Sequence, residues 1–339
     1  MRTDDFDYDL PDEFVAQRPA EPRDSARLLV DGGTEIEHRT VQDLPDLLRQ
    51  GDLLVVNDTR VLPARLSLRK ATGGAAEVLL LEPDPADPLT WEALVRPGRR
   101  IRPGASLFIE AEGRAVPVVQ VGAELGEGRR QVRLIDEEVP ARHGEVPLPP
   151  YVREALADPE RYQTVFADRP SSVAAPTAGL HLTPDVLDRC RQKGMGVATI
   201  ELSVGLGTFR PITADRIDDH VMHGERYRVP PETVAALDRA LRVVAVGTTV
   251  VRTLESLAAT GQTEGRTDLF ITRGHRWKTV DVLLTNFHVP RSSLLVMIDA
   301  FVGDRWKTLY DTARAEGYRF LSFGDAMLVE RAQLPEREQ

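Results

Sequence analysis

Between Arg242 and Arg291 one arrangement occurs twice: a β-branched run, a polar break, then a pattern suited to a helix. In RVVAVGTTVVRTLESLAA the break is GTT, and in TVDVLLTNFHVPRSSLLVMIDAF it is TNFHVPRS. Such breaks place hydroxyl, amide, imidazole and guanidinium groups at strand ends, where open α/β sheets bind ligands. The first offers Thr248 or Thr249 as a helix cap, with Arg252 and Glu255 three apart on one helical face. That helix start suits an anion, and Glu255 can accept hydrogen bonds from a ribose or an amine. An ordinary Arg–Glu pair on an outer face is the competing reading. The second gathers Asn286, His288, Arg291 and Ser292: an amide to orient a hydroxyl, an imidazole to move a proton, a guanidinium for phosphate or carboxylate.

Four further segments carry candidate groups. SVAAPTAGLHLTPDVL sets His181 just before a helix that starts with Thr183 as N-cap and Pro184 at its first position. In ELSVGLGTFRPI, Gly205, Gly207, Thr208 and Arg210 follow a strand, but the spacing lacks the full dinucleotide fingerprint; close backbone approach to a small ligand and an ordinary glycine turn both fit. DDHVMHGERY holds His220 and His223 three apart without an HExxH pattern or a third ligand at diagnostic spacing, so no metal site is expected. His223 with Glu225 suits a general base beside an orienting carboxylate, or a solvated pair. Asp325, after Gly324 in FSFGDAML, stands near another strand end, where it can meet a hydroxyl or cap a helix.

The elements needed to position these groups follow from periodicity. Strand candidates are LLVV before NDTR, GVATIELSV, RVVAVG, DLFI, VDVLLT and YRFLSF. Helix candidates are PDVLDRCRQK, PETVAALDRAL, TVVRTLESLAAT and SSLLVMIDAFVG. Their alternation predicts an α/β core with a mostly parallel sheet, formed by residues 1–65 and 151–339. Residues 66–150 differ: AEVLLLE, WEALVRP, SLFIE, AVPVVQV and RQVRLID are short runs between glycine, proline and charge, the pattern of an inserted small antiparallel β-barrel.

With 339 residues, 42% hydrophobic and 28% charged, the chain suits a globular protein with a large core. No apolar run approaches the roughly 20 residues of a membrane span. The acidic opening MRTDDFDYDL lacks a secretory signal, which points to the cytoplasm. The single cysteine, Cys190, cannot form an internal disulfide or a thiolate cluster alone, and its helical context suggests packing. A formal net charge of −10 argues against gripping nucleic acid by an overall field. RPGRRIRPG nevertheless concentrates Arg96, Arg99, Arg100 and Arg102, either a solvated face or a local polyanion contact. No oligomer-specific stripe stands out, so a monomer is expected.

Taken in order, DFDYDLP, AQRPAEPRDSARLLV, GDLLVVNDTRVLPARL, YQTVFADRPSSVAAPTAGLHLT, VGLGTFRPI, MHGERY, VGTTVVRTLES, TDLFITRG, LLTNFHVPRSSLL and YRFLSFGDAML span nearly the whole chain. This series resembles the S-adenosylmethionine:tRNA ribosyltransferase-isomerase family of queuosine synthesis. Departures are Leu182 where phenylalanine is expected, Gly224 where serine is usual, and RGHRW in place of a PG-aromatic stretch. The resemblance implies an α/β core with an inserted β-barrel. It implies transfer of the ribosyl part of S-adenosylmethionine to 7-aminomethyl-7-deazaguanine at the tRNA wobble position, giving epoxyqueuosine, adenine and methionine. The donor would be consumed, so no recycled cofactor is expected, and the tRNA anticodon arm would be the partner.

On that reading the base is His223 or His288, with His181 a third candidate. Asn286, Thr248, Thr249 and Thr208 would contact the donor's ribose or adenine, Glu255 or Asp325 its cationic character, and Arg252 or Arg291 its carboxylate or a tRNA phosphate. Arg96, Arg99, Arg100 and Arg102 would receive the anticodon arm. A methyltransferase, releasing adenosylhomocysteine, and a non-catalytic tRNA-binding protein are the rival classes.

Overall fold

Residues 1–33, 35–111, 113–126, 128–205, 211–222 and 224–332 are described by the computed structural model, apart from the side chain of Arg99. The chain divides into two compact units. One comprises residues 1–60, 149–169 and 175–339; the other comprises 61–148 and 170–174.

The first unit is built on a nine-stranded sheet. Its middle is parallel: Gly196–Leu202, Asp52–Asn57, Arg242–Val246 and Val282–Asn286 lie side by side, with Val55 opposite both Ala198 and Ala245, and Val246 opposite Leu284. These strands are rich in Val, Leu and Ile, and Asp52–Asn57 is buried at every position, as expected of a strand covered on both faces. Alternate residues Leu54, Val56, Val244, Val246, Val282 and Leu284 form one buried cluster with Val186, Leu187 and Cys190 of helix Pro184–Gln192. Cys190 is a packing residue there; burial pushes its thiol up to about 11. Helix Thr248–Thr260 packs against all four central strands.

The expected mostly parallel sheet is corrected to a mixed one, for four of its eight pairings among the described residues are antiparallel. Glu225–Arg228 and Glu264–Thr267 add antiparallel strands at one edge. Their alternating charge hid them, while the expected strand DLFI lies just beyond the second. At the other side, helices Ser293–Val302 and Arg305–Ala315 follow one another. Two successive helices bring the chain back to the sheet end it left, so Ala326–Glu330 runs antiparallel to Val282–Asn286. YRFLSF is not that strand: Tyr318 and Phe320 pack against Phe287, and Leu321 turns the chain at φ 70°.

The second unit is an antiparallel sheet. Its strands run in the order Gly144–Glu145, Arg65–Lys70, Ala75–Asp84, Asp87–Arg96, Arg129–Leu134, Arg114–Gly126 and Ser106–Ala111. Arg65–Lys70 also pairs with Ser106–Ala111, so the ladder returns to its second strand. Leu66 and Leu68 alternate with exposed or half-buried neighbours, as one covered face requires.

Helix Pro184–Gln192 begins as its sequence dictates: Thr183 Oγ1 accepts from the Val186 N–H at 3.3 Å and also bonds Asp24 at 3.1 Å. Thr183→Ala should therefore lower stability by about 1 kcal/mol. Urea unfolding of both chains checks this through the shift in midpoint at constant slope.

Candidate active site

The four parallel strands end together, and an open cavity lies at those ends, where open α/β sheets bind ligands. Three strands feed it directly. Val204 follows the first, Gly247, Thr248 and Thr249 another, and Thr285, Asn286, Phe287, His288 and Val289 come from the end of the last. Ala175, Pro176, Thr177 and Ala178 face them, with Tyr151, Leu321 and Ser322 completing much of the wall. No Asp, Glu, Lys or Arg is among the described lining residues. The described lining is thus largely apolar with hydroxyl, amide and imidazole groups, and those residues supply no formal counter-charge.

Gly247 makes the first polar break sharp. Its φ of 93° is a backbone state that side chains other than glycine's strain to adopt, and its N–H still donates to the Leu284 carbonyl at 2.8 Å. Thr248 and Thr249 then open the helix at the cavity wall. The Thr249 hydroxyl oxygen is buried and has no hydrogen-bond partner among the described residues.

Asn286 joins the strand end to the turn above it. Its Oδ1 accepts from the Thr177 hydroxyl at 2.9 Å, and its Nδ2 donates to His181 Nε2 at 3.0 Å. An amide nitrogen only donates, so the neutral His181 ring carries its proton on Nδ1. Burial, then the positive charges of Arg319 and Arg23, lower the His181 pKa to about 4. Burial lowers that of His288 to about 3. His288 Nε2 lies 3.1 Å from Thr285 Oγ1. Of the expected histidines, His288 lines the cavity and His181 stands behind Asn286, against a smaller recess with Arg23 and Phe323. His223 and Thr208 lie outside the described residues.

Thr248, Thr249 and Asn286 are brought together at the cavity, whereas four expected charged groups are engaged elsewhere in the fold. Arg252 pairs with Glu225, both buried, and donates to the Leu269 and Thr267 carbonyls at 3.2 Å each. The other Glu225 oxygen accepts the Gly205 N–H at 3.1 Å, next to the lining residue Val204. Glu255 accepts the N–H groups of Lys278, Thr279 and Val280 at 3.0–3.1 Å, and lies 3.2 Å from His275 Nε2. Burial opposes its ionisation, but the His275 bond and the three backbone bonds outweigh this and hold the carboxyl below its usual range. Asp325 accepts from the Arg27 and Arg319 N–H groups at 3.0 and 2.8 Å. Arg291 sits in the left-handed region at φ 57° and reaches Asp4 at 3.3 Å.

Thr177, Tyr151, Thr285 and Ser322 were not singled out from the sequence. A hydroxyl in PTAG or LSFG carries no periodic signal, and only folding brings Tyr151 Oη to 2.6 Å from Ser322 Oγ. Among the described residues no three His, Cys, Asp or Glu side chains group as a metal site.

Comparison with known proteins places this site in a family. The family described as "Queuosine biosynthesis protein" matches residues 3–329. The chain belongs to that family. An S-adenosylmethionine:tRNA ribosyltransferase-isomerase of Moorella thermoacetica is 51% identical, over 97% of this chain and all of its own length. A protein of the same name from Rubrobacter xylanophilus is 50% identical over 97% of this chain and 98% of its own. The crystal structure of the Thermotoga maritima S-adenosylmethionine tRNA ribosyltransferase is 37% identical, with a TM-score of 0.54 over 96% of this chain and 99% of that one. Family membership thus extends across both units.

The two lowered histidine pKa values give stability a pH dependence of definite sign. An unfolded histidine takes up a proton near pH 6.5, whereas the folded rings resist until about pH 4 and about pH 3. Between those limits the unfolded state binds more protons, so stability is full above pH 6.5 and is lost as pH falls. Each ring contributes a slope of up to about 1.4 kcal/mol per pH unit. Urea unfolding at several pH values between 6.5 and 4.5 should show the decline, and His288→Asn should flatten it.

Proposed function

We propose that this protein is an S-adenosylmethionine:tRNA ribosyltransferase-isomerase acting on 7-aminomethyl-7-deazaguanine at the tRNA wobble position, with epoxyqueuosine-tRNA, adenine and methionine as products. What carries this reading is correspondence over the whole chain, at about half identity, with relatives bearing that name. The character of the cavity supports it. S-adenosylmethionine brings a sulfonium that acidifies its C5′ hydrogens, and the described lining of the cavity holds no carboxylate to neutralise it. Loss of a C5′ proton opens the way to adenine departure and attack by the RNA-borne amine, and epoxide closure then expels methionine. The donor is consumed, so the enzyme needs no recycled cofactor.

His288 is the proton acceptor in this scheme, with His223 the alternative and His181 a third candidate. Burial holds the His288 ring neutral at neutral pH, the protonation state that can accept a proton. Thr248, Thr249 and Asn286 contact the ribose hydroxyls or adenine edge, the unpartnered Thr249 oxygen being ready for such a bond, and Thr208 is a further substrate-binding residue. Arg252, Glu255 and Asp325 hold the walls in place through the bonds described above, and Arg291 meets the donor carboxylate or a phosphate.

We read the closed antiparallel ladder of the second unit as a small β-barrel inserted in the α/β core, and as the surface that receives the anticodon arm. Arg96, Arg100 and Arg102 are exposed and form no ion pair among the described residues, and Arg99 stands between them in sequence. The enzyme works as a cytoplasmic monomer; no helix among the described residues is long and apolar enough to cross a membrane.

An anticodon stem-loop carrying the aminomethyl base, incubated with S-adenosylmethionine, should gain the ribosyl-derived mass while free adenine appears. A methyl gain, or no covalent change, would refute the assignment. In single turnover His288→Asn should slow adenine release by about 10²-fold or more, and near-normal release would remove His288 from the proton-transfer role. Replacing Arg96, Arg99, Arg100 and Arg102 with Gln should weaken tRNA binding and reduce its salt dependence, by about 0.7–0.9 in logarithmic slope for each phosphate that is no longer neutralised.

A further inference from the structure

The first eight residues line none of the cavity, yet their polar atoms are bonded to the loop that carries His288. Loop residues 287–292 lie between strand Val282–Asn286 and helix Ser293–Val302, so His288 has no ladder partner for its own peptide groups. Two phenols take that place. The Tyr8 hydroxyl donates to the His288 carbonyl, and the Tyr310 hydroxyl oxygen accepts the His288 N–H at 2.9 Å. The two phenol rings meet edge to face with centroids 5.1 Å apart, and Tyr310 packs in the same way on Phe287 at 5.4 Å.

The same segment is anchored at further points. The Phe6 carbonyl accepts the Arg291 N–H at 2.9 Å, and the Arg291 carbonyl accepts the Ile212 N–H at 2.8 Å. Thr3 bonds the Asp215 carbonyl through its N–H at 3.0 Å and the Ala214 carbonyl through its hydroxyl at 2.6 Å, and the Met1 carbonyl accepts the Ile217 N–H at 3.2 Å. Phe6 is fully buried and stacks beside Trp306. Residues 1–8 therefore form a strap with one line of bonds to 214–217 and another to 288–291.

We infer that this strap is a positioning element for the reaction, in which Tyr8, by holding the His288 carbonyl, sets where the imidazole stands in the cavity. The inference rests on the part assigned to His288 above. A loop residue held at both its N–H and its C=O cannot rotate either flanking peptide without breaking a hydrogen bond, and a displacement of the reacting group by about 1 Å costs on the order of 10²-fold in rate. Burial, reinforced by Tyr310, pushes the Tyr8 hydroxyl well above its ordinary pKa, so it remains a donor across the pH range of the protein.

Tyr8→Phe in the full chain removes one oxygen and keeps the ring packing. Adenine release in single turnover should slow by about 10- to 100-fold, with a much smaller change in KM for S-adenosylmethionine. In protein labelled with ¹⁵N-histidine, the His288 ring signal, identified by its loss in His288→Asn, should shift. Tyr310→Phe, which removes the acceptor of the His288 N–H, should do the same and serves if the first variant folds poorly. Unchanged release with an unshifted His288 signal in a folded variant overturns the inference. A wild-type chain that releases no adenine would instead sink the proposed reaction, and the ring signal alone would then decide whether Tyr8 positions His288.

Discussion

A polar group buried at the end of a packed strand costs on the order of 1–3 kcal/mol when it is left without a hydrogen-bond partner. This constraint organises the first unit. Asn286, Glu255, Arg252 and Asp325 are all nearly inaccessible, and each is satisfied by named groups from distant parts of the chain. Glu255 binds three successive backbone N–H groups of 278–280, and so ties helix Thr248–Thr260 to the segment leading into strand Val282–Asn286. Arg252 holds Glu225, and Glu225 holds Gly205 beside the cavity. The charged residues of the polar breaks act on the frame, which leaves hydroxyls, an amide and an imidazole facing the cavity.

A cavity built in this way has chemical consequences. Its described lining holds no carboxylate or cation, and burial keeps His288 neutral, while burial and the nearby Arg319 and Arg23 do the same for His181 in the adjoining recess. On the proposed reading the donor's sulfonium meets hydroxyl, amide and imidazole dipoles there and no counter-charge from the described lining. The buried state of His288 then makes its exact placement matter, and that placement is shared between its own loop and the phenols of Tyr8 and Tyr310.

Much of the frame could be read from local pattern. The helix cap at Thr183, the glycine turn at 247, the buried strands through Leu54, Val244 and Leu283, and the short strands from Ala76 onward all follow from periodicity and turn chemistry. Strand direction did not, since the antiparallel return of Ala326–Glu330 depends on two helices in succession, one of which, Arg305–Ala315, is absent from the expected helices although Trp306, Leu309, Tyr310 and Ala313 form a regular buried stripe. The edge strand Glu225–Arg228 was masked by its charges.

The sequence by itself determined which chemical groups stand at strand ends, because a β-branched run followed by a polar break and a helix is a local signal, and its ordered segments determined the family. Which of those groups face the cavity was decided only by tertiary structure. Glu255 and Arg252 share a helix face in the sequence whether they meet a ligand or the fold. The difference lies in partners such as Val280 N–H and Glu225, which no spacing rule brings near them. The clamp on His288 is likewise a bond across 280 residues, set by burial and packing and carrying no trace in the local pattern around Tyr8.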